Sequence, residues 1–571
     1  MLLKPRLTSL LATVRIYRHT RALHTMAEDG LPADLAAKFT LVKEGTARML
    51  YPKGNKVFYN PAQEVNRDLS IMVIRNFQKI IAKERRDAYE KAKNRPKRAG
   101  QPEVELKEPD DQLSILEALS ATGLRSVRYY NEIGNIKKII ANDIDKNAVE
   151  AIERNLLFNK VDTNIVIPNH ADATSFMYNS RTPEQQFDVV DLDPYGSAAI
   201  FLDGAVQSVT EGGLLCVTCT DMAVLCGNHS EACYAKYGSV PLHSRFNHEM
   251  AVRIVLSSIE HHANRYKRYI VPLISLHIDF YVRMFVRVYT SPAEVKKSPT
   301  KISQVFQCVG CDSFHTLPLV KSIKTSGGSK YSPSVSKIPH TCPECDRHHK
   351  MGGPAWTNPM HSTEFLHEVI NLSETDSEKF GQAKKIKALL SAAAEELNDV
   401  PFHFTLDGLK NTLHLSNMSM FDLKSAILHA GYRVSGSHTN PTAVKTDAPN
   451  GAIWDIMRAW EKKFPLSEKR KSDPNSVAAK IVTKPSITLK EVNFEKHDLL
   501  NAPKVTRFHQ NPPNWGPGTR AGRGNKQEGA QTAEKTGKAE EVEGNGEQEK
   551  EGKGEEMDVV KEDNKKRRLD E

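Results

Sequence analysis

Four acidic turns in the middle of the chain, each after an apolar segment, have residue types that could hold a polar ligand. Their acidic residues are Glu117 in EALSATGLR, Asp143 in KKIIAND, Asp172 (followed by Ala173) after NIVIPNH, and Asp193 in DLDPYG. Asp143 lies twenty residues after Gly123, an offset at which a carboxylate typically accepts hydrogen bonds from ribose hydroxyls. A single aspartate in such a turn often does no more than cap the next helix. The first three turns, in register across consecutive strands, instead predict a nucleoside-containing cofactor with its adenine beside Asp172 and Ala173.

The composition of the first turn indicates which cofactor this is. Gly123 is the only glycine in EALSATGLR, so the turn lacks the G-x-G-x-x-G pattern whose backbone amides bind a diphosphate. S-adenosylmethionine has no phosphate and carries a positive sulfonium. An acidic turn that is poor in glycine therefore favours S-adenosylmethionine over a nicotinamide dinucleotide.

The segment from Asp191 to Gly196, DLDPYG, has residues suited to methylating an exocyclic base nitrogen. The lone pair of such an amine is delocalised into the ring, so a catalyst must accept hydrogen bonds from the NH2 group and aim its lone pair at the methyl carbon. We expect Asp193 to do this and to receive or relay the proton. The Pro194 carbonyl is a second acceptor, and Tyr195 offers a face on which a flipped base can stack. Asp-Pro and Tyr-Gly are also common in plain turns, and Asp191 is expected to be structural.

Short apolar strands and helical segments alternate from Leu113 onward and must position these turns. Strands are expected at LSILEAL, KKIIANDID, NIVIPNHADA, FDVVDLDP and GGLLCVTCTD, and helices at GLRSVRYYNEI, NAVEAIERNLLFN and AAIFLDGAVQSV. This alternation predicts a doubly wound, parallel α/β sheet, in which ligands bind beyond the carboxyl ends of the strands. VPLISLHID and YVRMFVRVYT are expected to complete the sheet as an antiparallel pair.

Two polar clusters lie upstream of this alternation, FYNP (Phe58–Pro61) and NRD (Asn66–Asp68). Their aromatic, amide and guanidinium groups suggest a cap over the cofactor and base, although FYNP could equally be a buried turn. An amphipathic helix is expected to follow. The run from Lys83 to Arg98 then has eight Lys and Arg residues, which could contact a phosphate backbone or belong to a solvated linker.

The cysteines divide into two groups. Cys308-x2-Cys311 and Cys342-x2-Cys345, with thirty residues between the pairs, predict a structural zinc site with four thiolate ligands. Cys216-x2-Cys219 has the same spacing but lies within a predicted strand. Positions three apart on a strand face opposite sides, so these two sulfurs are not expected to share a metal.

Several of these motifs together resemble the tRNA (guanine-26, N2)-dimethyltransferases. They are FYNPxxxxNRD, EALSATGLR, DLDPYG, GGLLxVTxTD, VKTDAP and NWGP, and the resemblance runs from about Leu41 to Trp515. It implies a class I (Rossmann-like) methyltransferase fold, S-adenosylmethionine as methyl donor, and two successive methylations of a guanine N2 in tRNA. It further implies cofactor contacts at Arg67, Arg125, Asp143, Asp172 and Ala173, and a guanine amine held by Asp193 with Phe58 and Tyr195 flanking the base.

The residues alone are also compatible with two other functions. A nucleic-acid adenine N6 or cytosine N4 methyltransferase also uses a D-P-P-Y type of turn, but such enzymes usually have a second proline where this chain has Tyr195. A zinc-containing RNA-binding protein without catalysis would need no row of acids at strand ends. Binding of S-adenosylmethionine would separate the enzymes from the pure RNA binder.

At 571 residues the chain is too long for one hydrophobic core. We expect a methyltransferase domain over 28–290 with a basic linker insertion at 83–110, a four-cysteine zinc module over 305–350, and a smaller C-terminal α/β domain over 360–465. A presequence-like segment over 1–27 precedes them, and a linker with a disordered tail over 466–571 follows.

The ends of the chain predict its location. Five Lys and Arg residues and no acid precede Glu28, as is typical of a mitochondrial presequence, and a second start at Met26 would omit it. The tail ends in the basic tetrad Lys565–Arg568, a candidate nuclear import signal. Both mitochondrion and nucleus are therefore expected. No apolar run reaches the roughly 18–20 residues that cross a bilayer, so no membrane partner is expected. The resemblance implies tRNA as the partner, and no obligate protein partner is expected.

Overall fold

The computed structural model describes residues 31–54, 59–95, 107–326, 328–415 and 417–500, together with Phe508 and Asn511. The presequence-like segment, Phe58 and the tail with its basic tetrad lie outside the described residues. Among the helices that the structure describes, none is both long enough and apolar enough to cross a membrane.

The central element is a seven-stranded sheet preceded by a small hairpin. The hairpin strands are β1 (Phe39–Glu44) and β2 (Ala47–Pro52). The sheet strands are β3 (Leu113–Glu117), β4 (Ile136–Asp143), β5 (Val166–His170), β6 (Phe187–Leu192), β7 (Val209–Cys219), β8 (Arg268–Ile278) and β9 (Tyr281–Thr290). Their spatial order is β5-β4-β3-β6-β7-β9-β8.

The directions of the strands match the sequence prediction. β3 to β7 are parallel, and β9 lies antiparallel between β7 and β8. The order reverses between β3 and β6, which creates the switch point where open α/β sheets bind ligands. Every residue of β3 and β6 is buried, because helices cover both faces of the sheet at its centre. The predicted α/β sheet with an antiparallel finishing pair is confirmed.

Nine helices precede the zinc module in the part of the chain that the structure describes up to Asn264. They are α1 (Ala33–Lys38), α2 (Glu64–Lys93), α3 (Leu124–Glu132), α4 (Lys146–Phe158), α5 (Ala173–Asn179), α6 (Leu202–Ser208), α7 (Met222–Leu225), α8 (Ser230–Tyr237) and α9 (Asn247–Asn264). The three helices predicted within the alternating segment correspond to α3, α4 and α6, and the amphipathic helix predicted upstream corresponds to α2. The sequence did not predict α9, whose apolar stripe is interrupted by Glu249 and Arg253, two charged residues that are buried all the same.

Helix α2 is longer than its apolar pattern suggests. Residues 83–93, expected to begin a basic linker, instead continue the helix to Lys93. This stretch contains strong helix formers such as Lys, Glu, Arg and Ala, and the first proline comes only at Pro96. At about 1.5 Å per residue the 30-residue helix is about 45 Å long.

The cysteine-bearing insert is built from short antiparallel strands. After the single turn α10 (Pro292–Val295) come β10 (Ile302–Cys308), β11 (Phe314–Pro318), β12 (Val320–Thr325), β13 (Gly328–Pro333) and β14 (His349–Trp356). β10 is the central strand of a sheet ordered β11-β10-β14, whereas β12 and β13 form a separate ribbon.

The C-terminal part is a mixture of helices and a small sheet. The strands β15 (Phe404–Thr405), β16 (Val434–Ser437) and β17 (Asn440–Thr446) are ordered β15-β17-β16. The helices are α11 (Thr363–Thr375), α12 (Ala383–Ala394), α13 (Leu406–Leu413), α14 (Met420–His429), α15 (Asn450–Lys463), α16 (Glu468–Lys471) and α17 (Val477–Thr483). Phe365 of α11 and Ile386 of α12 join the same hydrophobic cluster as α2 and β3. Trp454 of α15 instead packs in a cluster with the zinc-module cysteines.

Candidate active site

The carboxyl ends of neighbouring strands bring the predicted acidic turns together. Glu117 ends β3, Asp143 ends β4, and Asp193 follows β6 directly. The backbone N–H of Ser120 donates to the Asn142 carbonyl at 2.8 Å, which ties the first turn to the end of β4. The row of acids predicted from the sequence therefore lies along one edge of the sheet, beside the switch point.

Arg125 of α3 is buried among three carboxylates. Its Nη2 donates to Asp193 Oδ2, its Nη1 lies 3.6 Å from Asp191 Oδ2, and its Nε lies 3.9 Å from Glu117 Oε1. Burial lowers the pKa of an arginine, but these carboxylates outweigh it and raise the pKa of Arg125 well above its ordinary value. The guanidinium is therefore charged and holds the predicted catalytic carboxylate.

Asp191 lies next to the Arg125–Asp193 ion pair and is fully buried. Tyr129 Oη donates to its Oδ2 at 2.5 Å, and Arg283 Nη1 donates to its Oδ1 at 2.8 Å. Burial raises the pKa of Asp191, but Arg283 and Arg125 outweigh it and lower the pKa overall. Asp191 thus stays ionised and fixes two arginines, in line with the structural role expected for it.

Glu117 has a different electrostatic environment. Burial raises its pKa to about 8, against the opposing effects of Arg125 and of the Ser126 hydroxyl, which donates to Glu117 Oε2. Near neutral pH the carboxyl is therefore largely protonated. A cation placed next to it would favour the ionised form.

Arg67, near the start of α2, is held by Glu44 at the end of β1. Arg67 Nε donates to Glu44 Oε1 at 2.6 Å, and Arg67 Nη2 donates to Oε2 at 2.5 Å. Tyr59 Oη donates to the same Oε2 at 3.0 Å, and its ring centre lies 5.6 Å from the Arg67 guanidinium carbon. Burial opposes ionisation of Glu44, but Arg67 and Arg128 together lower its pKa. Sequence reasoning missed Glu44, because nothing local marks a strand-end glutamate as the partner of an arginine 23 residues later.

The NRD segment is a buried junction and not an open cap over the site. Asn66 Nδ2 lies 3.4 Å from Thr218 Oγ1 of β7, and Asp68 Oδ1 lies 2.7 Å from Arg128 Nη2 of α3. The Gln382 N–H donates to Asp68 Oδ2 at 2.9 Å. Burial raises the pKa of Asp68 to about 6. Asn66 and Asp68 thus use their polar groups to join α2 to its neighbours, whereas a contact of Arg67 with the cofactor stays a prediction.

Asp143 shapes the turn that follows β3. Its Oδ2 accepts from the Ala121 N–H at 2.8 Å, and its Oδ1 accepts from the Asp145 N–H at 2.9 Å. Gly123, with φ of 76°, ends this turn, and a Cβ there would lie 3.2 Å from Ile152 Cγ2. Each carboxylate oxygen has a second lone pair, so Asp143 could still accept from ribose hydroxyls.

Asp172 is the N-cap of α5 and is exposed. Its Oδ2 accepts from the Ser175 N–H at 2.7 Å, and this hydrogen bond lowers its pKa. The helix-cap alternative thus holds for Asp172. Ala173 is the buried first residue of the helix, and the contact of this pair with adenine stays a prediction.

The DPYG loop presents an aromatic ring to solvent beside Asp193. The Gly196 N–H donates to Thr220 Oγ1, and the Thr220 N–H donates to the Gly196 carbonyl, both at 2.8 Å. Pro194 is buried, whereas Tyr195 is 59% exposed. A loop held at Gly196, with an exposed ring next to a partly buried carboxylate, suits a base that has left its stack.

Acids outnumber arginines in this region. The carboxyl groups are Glu44, Asp68, Glu117, Glu132, Asp191 and Asp193, and the guanidinium groups are Arg67, Arg125, Arg128 and Arg283. S-adenosylmethionine carries a sulfonium, an ammonium and one carboxylate, and so has a net positive charge. Even with the Glu117 carboxyl protonated, five carboxylates lie among four guanidinium groups. This small excess of negative charge fits such a cofactor better than an anionic dinucleotide.

The four zinc-module cysteines form a compact buried group. Cys308 Sγ lies 3.3 Å from Cys345 Sγ, and Cys311 Sγ lies 3.5 Å from Cys342 Sγ. Four sulfurs at about 2.3 Å from a tetrahedral zinc would lie about 3.8 Å apart. The residue after each pair's second cysteine, Asp312 or Asp346, has a left-handed φ of 60° or 61°, so the two pairs share one turn geometry. The donor set and its spacing fit Zn2+.

The other cysteine pair has the environment of core residues. Cys216 and Cys219 both lie in β7, and burial raises the pKa of Cys216 above its usual range. Within the described residues, the groups that could hold a metal are the four cysteines above and a set made of His361, Glu396 and His438. Cys216 and Cys219 lie in a strand, as the sequence predicted.

The His361, Glu396 and His438 group was missed by sequence reasoning because its members are far apart in the chain. His438 Nδ1 donates to Glu396 Oε1 at 2.5 Å, and His438 Nε2 accepts from the His277 N–H at 3.1 Å. Lys445 Nζ lies 2.9 Å from Glu396 Oε2. With both ring nitrogens of His438 in use and an ammonium on the carboxylate, the group is a hydrogen-bonded network and not a metal centre.

Comparison with known proteins identifies the family. Residues 37–458 match the family described as N2,N2-dimethylguanosine tRNA methyltransferase. The chain belongs to this family. A mouse tRNA (guanine(26)-N(2))-dimethyltransferase is 43% identical over 534 residues, covering 87% of this chain and 79% of the mouse protein.

Two further similar proteins extend the comparison. The protein of Saccharomyces cerevisiae named tRNA (guanine(26)-N(2))-dimethyltransferase, mitochondrial, is 36% identical over 538 residues, covering 86% of this chain and 94% of the yeast protein. The structure of Trm1 from Pyrococcus horikoshii in complex with S-adenosyl-L-methionine has a TM-score of 0.58 and 26% identity. It covers 73% of this chain and 99% of that one. The S-adenosylmethionine-dependent methyltransferase fold expected from the sequence is thereby confirmed.

Proposed function

We propose that this chain transfers two methyl groups in succession from S-adenosylmethionine to the N2 atom of guanosine 26 in tRNA. The observation that carries the proposal is the loop after β6, where Asp193, paired with Arg125, lies beside the exposed ring of Tyr195 at the switch point of the sheet. Membership of the dimethylguanosine family supports the donor, the RNA and the base.

When bound, S-adenosylmethionine supplies an electrophilic methyl group on its sulfonium. We assign its binding to residues along the carboxyl edge of the sheet, namely Arg67, Glu117, Arg125, Asp143, Asp172 and Ala173. Asp143 would accept from the ribose hydroxyls, Asp172 and Ala173 would meet the adenine, and the acid-rich floor would favour the sulfonium. This assignment rests on the charge balance of the site and on the positions of Glu117, Asp143 and Asp172 at or just after strand ends. Arg67 and Arg125 are contributed by α2 and α3, and Ala173 follows Asp172 at the start of α5.

The chemical step needs a hydrogen-bond acceptor for the base amine. Asp193 accepts from one N2–H and the Pro194 carbonyl from the other, which localises the lone pair and directs it. The bound cofactor would supply the methyl group to N2, with its carbon–sulfur bond breaking as the bond to N2 forms. Asp193 would accept the proton that N2 loses and pass it to solvent. After the first transfer one N–H is left, and the same carboxylate can hold it for the second. Tyr195, with Phe58 on the other side, would stack on the guanine.

The test is methyl transfer from labelled S-adenosylmethionine to an unmodified tRNA transcript, followed by nucleoside analysis. We expect N2-methylguanosine first and N2,N2-dimethylguanosine later, and no label in a transcript with adenosine at position 26. Label on adenine N6 or cytosine N4 would replace the guanine assignment with the alternative amino-methyltransferases. Bound cofactor with no label on RNA would remove tRNA as the substrate, and no cofactor binding would leave the non-catalytic zinc protein.

We also propose one structural Zn2+ held by Cys308, Cys311, Cys342 and Cys345, on the basis of their burial and spacing. For localisation we propose mitochondrion and nucleus. The segments concerned lie outside the described residues, and the support is the presequence-like composition and the yeast relative's name. Fusions of a fluorescent protein to chains starting at Met1 and at Met26 test this, because only the longer one should enter mitochondria.

A further inference from the structure

The segment between the two cysteine pairs has an unusual charge. From Ser313 to Pro343 the sequence contains no Asp or Glu, but it contains Lys321, Lys324, Lys330 and Lys337. Among the ion pairs of the described residues, none includes any of these four ammonium groups. The segment is therefore a patch of uncompensated positive charge.

The backbone of this segment forms an exposed two-stranded ribbon. β12 and β13 pair antiparallel from Val320–Pro333 to Thr325–Gly328, and neither strand pairs with another described strand. We call residues 320–326 and 328–333 the lysine ribbon. Its register places Lys321, Ile323 and Lys330 on one face, with Ile323 directly opposite Lys330. Ile323 is 50% exposed, so an apolar side chain stands between two ammonium groups.

The base of the ribbon lies at the end of the central sheet that is opposite to the strand ends bearing the active site. Leu319 N–H donates to the Ile302 carbonyl at 2.9 Å, and the preceding residue, Lys301, lies 5.3 Å from the Tyr269 ring centre. Tyr269 pairs with Tyr289 near the end of β9. β9 runs antiparallel to β7, so its ten residues lead about 30 Å away from the edge that bears Asp193.

The other basic segment is less available. In the run that begins at Lys83, Arg85 pairs with Asp188 and Arg86 pairs with Asp111. Their positive charge is therefore compensated within the protein. The run from Lys83 also contains Glu84, Asp87 and Glu90, so of these two basic segments the lysine ribbon is the one without acids.

We propose that the lysine ribbon binds the sugar–phosphate backbone of the tRNA at a distance from the methylated base. The proposal rests on the proposed function, because it takes tRNA as the substrate. A phosphate backbone matches an acid-free, lysine-bearing surface, and each phosphate neutralised by a lysine releases counterions and strengthens binding. Ile323 between the lysines would cover ribose carbons. The ribbon would give the enzyme affinity for the folded tRNA without reading its sequence.

The test compares two full-length variants that lose the same charge. One is Lys321→Gln, Lys324→Gln and Lys330→Gln on the ribbon, and the matched control is Lys83→Gln, Lys91→Gln and Lys93→Gln on α2, where all three residues are exposed. Affinity for an unmodified tRNA transcript is measured from low to high salt, and S-adenosylmethionine affinity, zinc content and melting temperature are measured for both. A third variant with arginine at the three ribbon positions keeps the charge.

The ribbon variant should bind tRNA about tenfold more weakly at moderate salt and lose about 2 to 3 from the slope of log K against log salt. Its KM for tRNA should rise while kcat at saturating tRNA and cofactor affinity stay at wild-type values. The control and arginine variants should resemble wild type. Unchanged tRNA affinity and an unchanged salt slope in the ribbon variant, while the wild-type chain methylates tRNA, would overturn the proposal. A ribbon variant that keeps its tRNA affinity but no longer binds an acidic protein would also overturn it. A wild-type chain that binds no tRNA would instead overturn the proposed function itself.

Discussion

Arg125 Nη2 donates a hydrogen bond directly to Asp193 Oδ2. The sequence assigns Arg125 to the cofactor and Asp193 to the base amine, so this ion pair joins the two halves of the site. The same guanidinium lies within 4 Å of carboxylate oxygens of Asp191 and Glu117. Arg125 is therefore placed to orient Asp193 as a hydrogen-bond acceptor for the base amine.

Asp193→Asn should abolish most methyl transfer. The amide keeps the shape of the side chain but can no longer receive the proton or provide two anionic acceptors, so kcat should fall by about 10²–10⁴-fold. Cofactor affinity should change little, because Arg125 keeps Asp191 and Glu117 as partners. Single-turnover assays and calorimetry with S-adenosylmethionine check both parts. An Asn variant that transfers methyl groups at the wild-type rate would remove Asp193 from the chemistry.

Glu44→Gln should weaken cofactor binding through Arg67. The substitution removes the charged acceptor of two Arg67 hydrogen bonds, and bonds to charged groups contribute about 1.5–3 kcal/mol, so affinity should fall by about tenfold or more. Glu132→Gln is the control, since Glu132 pairs with Arg128 and not with Arg67. Titration with S-adenosylmethionine measures the effect. Equal losses in both variants would indicate general damage to the arginine network instead of a specific role for Arg67.

Asp143→Ala should raise the KM for S-adenosylmethionine with a smaller change in kcat. Asp143 fixes the Ala121 N–H of the first turn and is proposed to accept from the ribose, so the loss falls on binding. Asp145→Ala is the matched control two residues away, because Asp145 caps α4 and should affect stability more than binding. Initial rates measured at varied S-adenosylmethionine concentration give KM and kcat for both variants. A KM equal to that of wild type would leave Asp143 as a turn residue only.

Removing the proposed zinc ligands should destabilise the C-terminal part of the protein. The four cysteines share a hydrophobic cluster with Trp454. Trp454 Nε1 donates to Ser313 Oγ at 2.7 Å, and Ser313 lies in the chain between the two cysteine pairs. Cys342→Ser should abolish a stoichiometry of one zinc per chain and lower the melting temperature. Cys216→Ala should keep the metal. Metal analysis of the purified variants checks this, and zinc retained in Cys342→Ser would exclude the proposed ligand set.

The strand-end acids could be predicted from sequence because their information is local. An apolar strand, a turn and a helix fix where Glu117, Asp143 and Asp193 lie, since parallel strands all end at one edge. Glu44 and Arg283 could not be found in this way. Their roles depend on partners 23 and 92 residues away, and pairing of buried charges over such distances leaves no periodic signal.

The same reasoning explains the NRD segment. Its residue types are those of a ligand-binding cap, and local pattern cannot tell a polar group that faces a ligand from one that faces a neighbouring helix. Asp68 shows the difference, since its two oxygens contact Arg128 and the backbone of Gln382, 314 residues later. Only the packing of α2 against the C-terminal helices reveals this.

The buried network around His361 should make the protein sensitive to acid. Ser275 N–H donates to His361 Nδ1 at 3.2 Å, and burial lowers the pKa of His361 to about 3, with the nearby His438, Lys445 and Arg253 acting in the same direction. In the unfolded chain this histidine binds a proton below about pH 6.5. Between that pH and about 3 the unfolded state therefore holds more protons, and stability falls as the pH falls.

Glu396 of the same network also makes the folded protein less stable as the pH falls, but at lower pH than His361. Burial raises the pKa of Glu396, but Lys445 and His438 outweigh it and lower the pKa overall. Its stabilising contribution is thus present above about pH 4.5 and is lost as the pH falls further. His361→Asn keeps an acceptor for Ser275 and does not titrate, so between pH 6 and 5 it should reduce the slope of unfolding free energy by up to about 1.4 kcal/mol per pH unit. Denaturant titrations at several pH values measure this, with the exposed His229→Asn as control. Parallel pH profiles for wild type and His361→Asn would assign the acid sensitivity to other groups.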